Sequence, residues 1–147
     1  MTMTSKKRAI SEAILSKLDG VTGVKTKSFD RVRLYSSDFQ DHELPAIQII
    51  DVDEQVTHEM SRAKKAWRLG LEIIMKPNEF GDVSQKDLWD MQYTVERALF
   101  ADPNLSIPGV IHLQYLAATT DLHLLEPYYY CRLELLCQYY EPLVRDL

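Results

Sequence analysis

A chain of 147 residues, 46% hydrophobic and 27% charged, is the size of one domain of about 100–150 residues. It can fill a core, which excludes wholesale disorder. Its formal net charge of −5 speaks against a general nucleic-acid binder, whose surface would be basic. No apolar run approaches the roughly 20 residues of a membrane-spanning helix, and the basic start MTMTSKKRAI lacks the apolar segment of a secretory signal. The expectation is a single domain over 1–147, made in a cytoplasm and with no membrane partner.

The charge is unevenly spread. Residues 1–33 carry eight Lys/Arg against three Asp/Glu, a balance of +5, while the remaining 114 residues carry −10. A basic first element on an acidic body reads either as a docking surface for an acidic partner or as a solvated helix face.

Residues 5–18 predict an amphipathic helix, with Ile10, Ala13, Ile14 and Leu18 on one face and Gly20 as its stop. Residues 24–35 are β-prone without a clear period and predict a short strand or extended arm. Residues 36–45 form a polar loop closed by Pro45. Two long strands follow, 46–56 and 63–75. In the second, Trp67, Leu69, Leu71, Ile73 and Met75 alternate with Lys64, Ala66, Arg68, Gly70 and Glu72. The polar stretch 57–62 predicts an exposed hairpin tip, which makes 54–66 a projecting arm.

Residues 84–105 predict a second helix. Leu88, Met91, Val95, Ala98 and Leu99 line its apolar face, Ser84 and Asp87 form a capping pair, and Pro103 ends it. A second hairpin closes the chain. Its first strand, 110–118, places Ile111, Leu113, Tyr115 and Ala117 on one face, and its second, 128–140, places Tyr129, Cys131, Leu133, Leu135 and Cys137 on one face. The ends, 1–4 and 141–147, are expected to be loosely held. A sheet with one apolar face must be covered, and two amphipathic helices suffice. The predicted fold is α+β: a two-layer sandwich with a mainly antiparallel sheet and two helices packed on one face.

The search for chemistry is short. His42, His58, His112 and His123 form no paired metal-ligand motif. Cys131 and Cys137, six positions apart, would lie roughly 20 Å apart on one strand, beyond disulfide reach, and read as reduced core thiols. The five glycines are scattered, so no phosphate-cradling loop is present. Neither a GxSxG elbow nor a cysteine signature marks a nucleophile. The chain therefore reads as a non-enzyme with no cofactor and no catalytic or metal residues.

Three groups remain. Alternation puts Asp51 and Asp53 on one strand face beside Glu54, as a solvated or channel-facing acidic surface or, less simply, a carboxylate pair. Arg62, Lys64, Lys65 and Arg68 make a basic patch that descends from the hairpin tip, with Lys64 and Arg68 opposite Trp67. It reads as solubilising surface or as an electrostatic contact with a neighbouring copy. Tyr128 and Tyr130 belong to a tyrosine run with one face in the core and the other free for a subunit contact.

Several local features, taken in order, resemble one family. A first helix leads into a weak strand, and a loop ends in ELPAIQI, 43–49. Acidic DVDE, a polar arm, an interior Trp67 and an IIMKP exit follow. The second helix ends ERALFADPNL, 96–105, before a final hairpin. This series is similar to the tail terminator, or tail completion, proteins of long-tailed bacteriophages, the minor tail protein U-like family.

The resemblance implies a structural virion protein, assembled in the host cytoplasm and located at the head-proximal end of the tail. Its partners would be further copies in a hexameric ring, the tail tube protein and the head–tail connector or stopper protein. The ring would halt tube polymerisation, present the head–tail joining surface and let DNA pass without specific binding. Arg62, Lys64, Lys65, Arg68, Tyr128 and Tyr130 are then the subunit-interface candidates. Asp51, Asp53 and Glu54 are the lumen candidates. Another connector component, the tail tube protein, or a nucleic-acid-binding α+β domain are the competing expectations.

Overall fold

Strict alternation of Trp67, Leu69, Leu71, Ile73 and Met75 builds the central strand of the computed structural model, β3 (Arg62–Met75). The structure describes residues 4–29, 39–76, 85–121 and 128–143. The other strands are β1 (Thr26–Ser28), β2 (Ala46–Glu59), β4 (Val110–Asp121) and β5 (Tyr129–Pro142). The helices are α1 (Lys6–Lys17) and α2 (Gln85–Phe100). The sheet runs β1-β2-β3-β5-β4. Only β1 and β2 pair in parallel; the other neighbours are antiparallel. The α+β expectation with a mainly antiparallel sheet holds.

Both helices cover the same, inner face. Ile10, Ile14 and Leu18 from the first helical segment and Leu88, Val95 and Leu99 from α2 share one buried cluster with Ile47, Ile49, Leu69, Leu71, Cys131, Leu133 and Leu135. Ser5 caps α1 by accepting the Arg8 N–H at 3.2 Å. The helix runs into a 3-10 turn, Leu18–Gly20, and the left-handed residue that follows is Gly23, at φ 93°. Ser84, the expected cap of α2, lies outside the described residues. Gln92 of α2 turns inward. Its amide meets the Tyr115 hydroxyl at 3.4 Å and accepts from the Cys131 thiol at 3.4 Å. Phe100 stacks on Tyr115 at 5.7 Å. Both cysteines are free and buried, and burial pushes the Cys137 thiol up to about 12.

Three β-bulges change the faces that simple alternation assigns. Asp51 pairs with Leu69 but Asp53 with Arg68, so Val52 is the extra residue in β2. In β4, Ile111 and Leu116 are extra by the same count. Each bulge moves the residues beyond it to the other face. Ile111 therefore leaves the inner face, and Ala117 pairs opposite Glu134 on the outer face, contrary to the expected set. Val110, Leu113 and Tyr115 are the β4 residues that pack inward. The three extra side chains are all large, apolar and exposed.

The strands are longer than expected at the distal end. β2 and β3 run to Glu59 and Arg62, leaving a turn at Met60 and Ser61. β5 follows alongside, pairing Pro142 with Arg62 and Gln138 with Ala66. Residues 54–66 are thus bordered by β5 on one side. Glu141 and Pro142, expected in a loose tail, complete β5, and the Leu143 N–H reaches the Ser61 carbonyl at 2.8 Å. On the outer face a smaller cluster, Phe39, Leu44, Ala46 and Ile74, closes the opposite end against Tyr128 and Tyr130.

Leu69 lies fully buried at the centre of the sheet beneath the helices. Leu69→Ala should destabilise the fold by about 2–5 kcal/mol. Urea unfolding would show this as a lower midpoint with an unchanged slope.

Candidate functional site

The distal end of the sheet collects most of the chain's unusual polar chemistry. There the first turn of α1 meets the ends of β3 and β5. A helix start leaves backbone N–H groups without partners and favours a negative charge. Glu141 supplies that charge: its carboxylate accepts the Lys6 N–H at 2.8 Å and the Lys65 ammonium at 2.9 Å. Burial works to raise the Glu141 carboxyl, but the Lys6 amide and the Lys65 ammonium outweigh it and hold it below the usual carboxylate range. Lys6 Nζ also donates to the Pro108 carbonyl at 2.6 Å, which fastens α1 to the turn before β4.

The candidate acids are not one surface. The bulge at Val52 turns Asp51 and Glu54 to the inner face and Asp53 to the outer face, so the expected Asp51–Asp53 pair does not exist. Lys7 sits between Asp51 and Glu54, at 3.1 and 3.4 Å, and over the Trp67 ring at 5.3 Å. Trp67 Nε1 donates to Asp51 at 2.9 Å. Asp53 receives both Nε and Nη2 of Arg68, at 3.0 and 2.8 Å, the forked geometry that suits a guanidinium to a carboxylate. Beside this cluster lies Tyr139, fully buried, with no hydrogen-bond partner for its hydroxyl among the described residues. Burial and the neighbouring Glu54 and Glu141 raise its pKa.

The basic patch is likewise divided. Lys65 points inward to Glu141, whereas Arg62, Lys64 and Arg68 share the outer face. Arg62 reaches Glu59 at 3.2 Å and stacks over Tyr140 at 4.0 Å. Lys64 makes no ion pair among the described residues. Its cross-strand partner is Thr57, and Met60 in the turn beyond is 95% exposed.

Tyr128 and Tyr130 stand at the other end of the sheet. Tyr128 packs beneath Lys76, 5.7 Å above its ring. The Tyr130 hydroxyl donates to Glu72, which also accepts Gln48 at 2.8 Å. The nine candidates therefore form two groups; Arg68 of one and Tyr130 of the other, the Ile74 partner, lie six positions apart along β3, roughly 20 Å at about 3.3 Å per residue.

Two features escaped the sequence reading. One is an exposed stripe on α2: Trp89, Tyr93 and Arg97, with Arg97 donating to the Tyr93 hydroxyl at 3.2 Å. Its four-residue spacing was visible in the sequence. The other is a cleft of about 400 Å³ beside α2, lined by Val21, Pro45, Met75 and Met91 with Asp87 and Asp90 at its mouth. It joins four separate segments, so no local pattern announces it. Among the described residues, no three His, Cys, Asp or Glu side chains come together as a metal site would need.

No protein-family model matches the chain, and no curated protein matches it. Its fold is shared with a chain of a solved structure described as the virion of a native gene transfer agent (GTA) particle. The TM-score is 0.69 over 95% of this chain and 100% of that chain, at 12% identity. At that identity the likeness is one of fold.

Two outcomes test the distal cluster. A carboxyl held below its ordinary value adds stability above about pH 4.3, the unfolded Glu range, and loses it as pH falls through the lowered value. Glu141→Gln should therefore flatten the acid limb of the unfolding-midpoint profile between pH 5 and 2, as thermal melts would show. A double-mutant cycle of Lys7→Ala with Glu54→Gln should give a coupling of about 0.5–1 kcal/mol, the scale of a partly exposed ion pair. Denaturant titrations of the four proteins measure it.

Proposed function

We propose that this chain is a structural virion protein, a tail terminator that caps a completed tail tube as a ring and forms the head–tail joining surface. The observation that carries the reading is the fold shared over nearly its whole length with a chain of a virion particle. The ordered series ELPAIQI, DVDE, interior Trp67 and ERALFADPNL supports the finer assignment. A hexamer joined by head-to-tail contacts, which close into a ring when the rotation allows, is the assembly proposed. The reading is non-enzymatic and involves no cofactor.

The disposition of charge supports an assembly role over a nucleic-acid-binding one. Lys7, Arg8, Lys17 and Lys27 of the basic first segment all pair with this chain's own acids, Asp51, Glu12, Asp102 and Asp19. Two of these partners, Asp51 and Asp102, come from the acidic body, and the other two lie within the segment itself. The proposed lumen acids are also paired. Asp51, Asp53 and Glu54 are each countered by Lys7 or Arg68, so a lumen built from them would offer DNA paired charges rather than bare carboxylates.

Electron microscopy of the concentrated protein, alone and with purified tail tubes, tests the proposal. Closed six-fold rings, or rings seated on tube ends, are expected. Long open tubes would identify a tube protein instead. A protein that stays monomeric and leaves tubes uncapped would refute the reading.

A further inference from the structure

The two ends of the sheet carry complementary chemistry that one molecule cannot bring together. At the distal tip, Met60 projects at 95% exposure, at φ 53°, with exposed Leu143 bonded to the turn and Arg62 and Lys64 on the strand that leaves it. Met60 is the first central residue of a two-residue hairpin turn, where positive φ is what the turn requires. At the far end, the cleft beside α2 has apolar walls, Val21, Pro45, Met75 and Met91, and an acidic mouth, Asp87 and Asp90. The Asp90 carboxylate makes no hydrogen bond or ion pair among the described residues, and neither does the Lys64 ammonium. Met75, which lines the cleft, closes β3, while Arg62, next to the tip, opens it. The separation is roughly 45 Å at about 3.3 Å per residue, so the tip cannot fill the cleft of its own chain.

We infer that the cleft receives the β2–β3 tip of a second copy of this chain, with Met60 against Met75 and Met91 and with Lys64 facing Asp90. Methionine suits such a contact because its unbranched, polarizable side chain adapts to an irregular apolar wall. The charges match in sign, basic tip to acidic mouth, which fixes orientation and disfavours tip-to-tip pairing. The cleft volume, about 400 Å³, lies within the range of about 300–1,000 Å³ that holds a drug-sized ligand, so it can take the tip's leading side chain. A patch that binds a different patch makes a head-to-tail contact, which closes into a ring when the rotation allows. The inference rests on the ring reading above and names the two surfaces that would make the ring.

Disulfide trapping tests it on the full-length protein, assembled at high concentration or on tail tubes. Met60→Cys and Thr94→Cys proteins are made singly, mixed and treated with a mild oxidant; Cys131 and Cys137 are buried. Thr94 is an exposed residue of α2 that lines the cleft. The mixture should give a covalent dimer that neither variant gives alone, and the doubly substituted chain should give a ladder ending at a closed ring. In parallel, Lys64→Glu or Asp90→Lys should each weaken assembly by about tenfold, on the scale of one buried ion pair, and the two together should restore it. Rings that form without the mixed cross-link, that link only through Met60→Cys pairs, or that the double charge swap fails to restore would overturn the inference and leave the ring itself standing. If the unsubstituted protein forms no rings, the proposed function fails instead.

Discussion

Strand β3 is hydrogen-bonded on both sides along nearly its whole length, to β2 and to β5, and the rest of the molecule is arranged around that constraint. A strand paired on both edges has no freedom of register. A one-residue slip would turn Leu69, Leu71 and Ile73 away from the helices and bring Arg68, Gly70 and Glu72 beneath them. The inner face must then be covered, and α1 and α2 cover it. Because β5 pairs with β3 out to Pro142, its end meets the start of α1, where Glu141 finds the Lys6 amide and Lys65.

The outer strands are treated differently. β4, one edge of the described sheet, carries two bulges, and β2 carries the third. Bulges in an edge strand spoil the regular ladder that a foreign strand would extend. The long distal part of β2 is instead lined with charge, Asp51, Asp53, Glu54 and Glu59. Such edges disfavour open strand-to-strand polymerisation. That suits the proposed ring, whose contacts would be made by side chains at the two ends of the sheet, specific in direction and finite in number.

Much of this was legible in the sequence, for a physical reason. In β3, without a bulge, period two is strict, so Trp67 to Met75 could be read directly, as could the helical faces of Ile10–Ile14 and Leu88–Val95–Leu99. What failed was the assumption that alternation continues through every strand. One inserted residue at Val52, Ile111 or Leu116 reverses the faces beyond it. A sequence marks no such insertion when the extra residue is itself apolar. That is why Asp51 and Asp53, two apart, were assigned to one face and stand on opposite ones. Glu141 was unreadable for another reason: its partner, the Lys6 amide, is 135 positions away, and a carboxylate near a chain end reads as tail until the helix start is placed against it. Within the candidate site, the basic tip was legible, but the cleft was not, because four segments build it.

In the proposed ring, assembly depends on both ends of one sheet at once. Hydrogen–deuterium exchange of the free and the assembled protein measures this directly. The ring predicts that residues 57–64 and residues 86–94 gain protection together on assembly, while β4 is unchanged. Protection confined to one of these segments, or gained instead along β4, would contradict it.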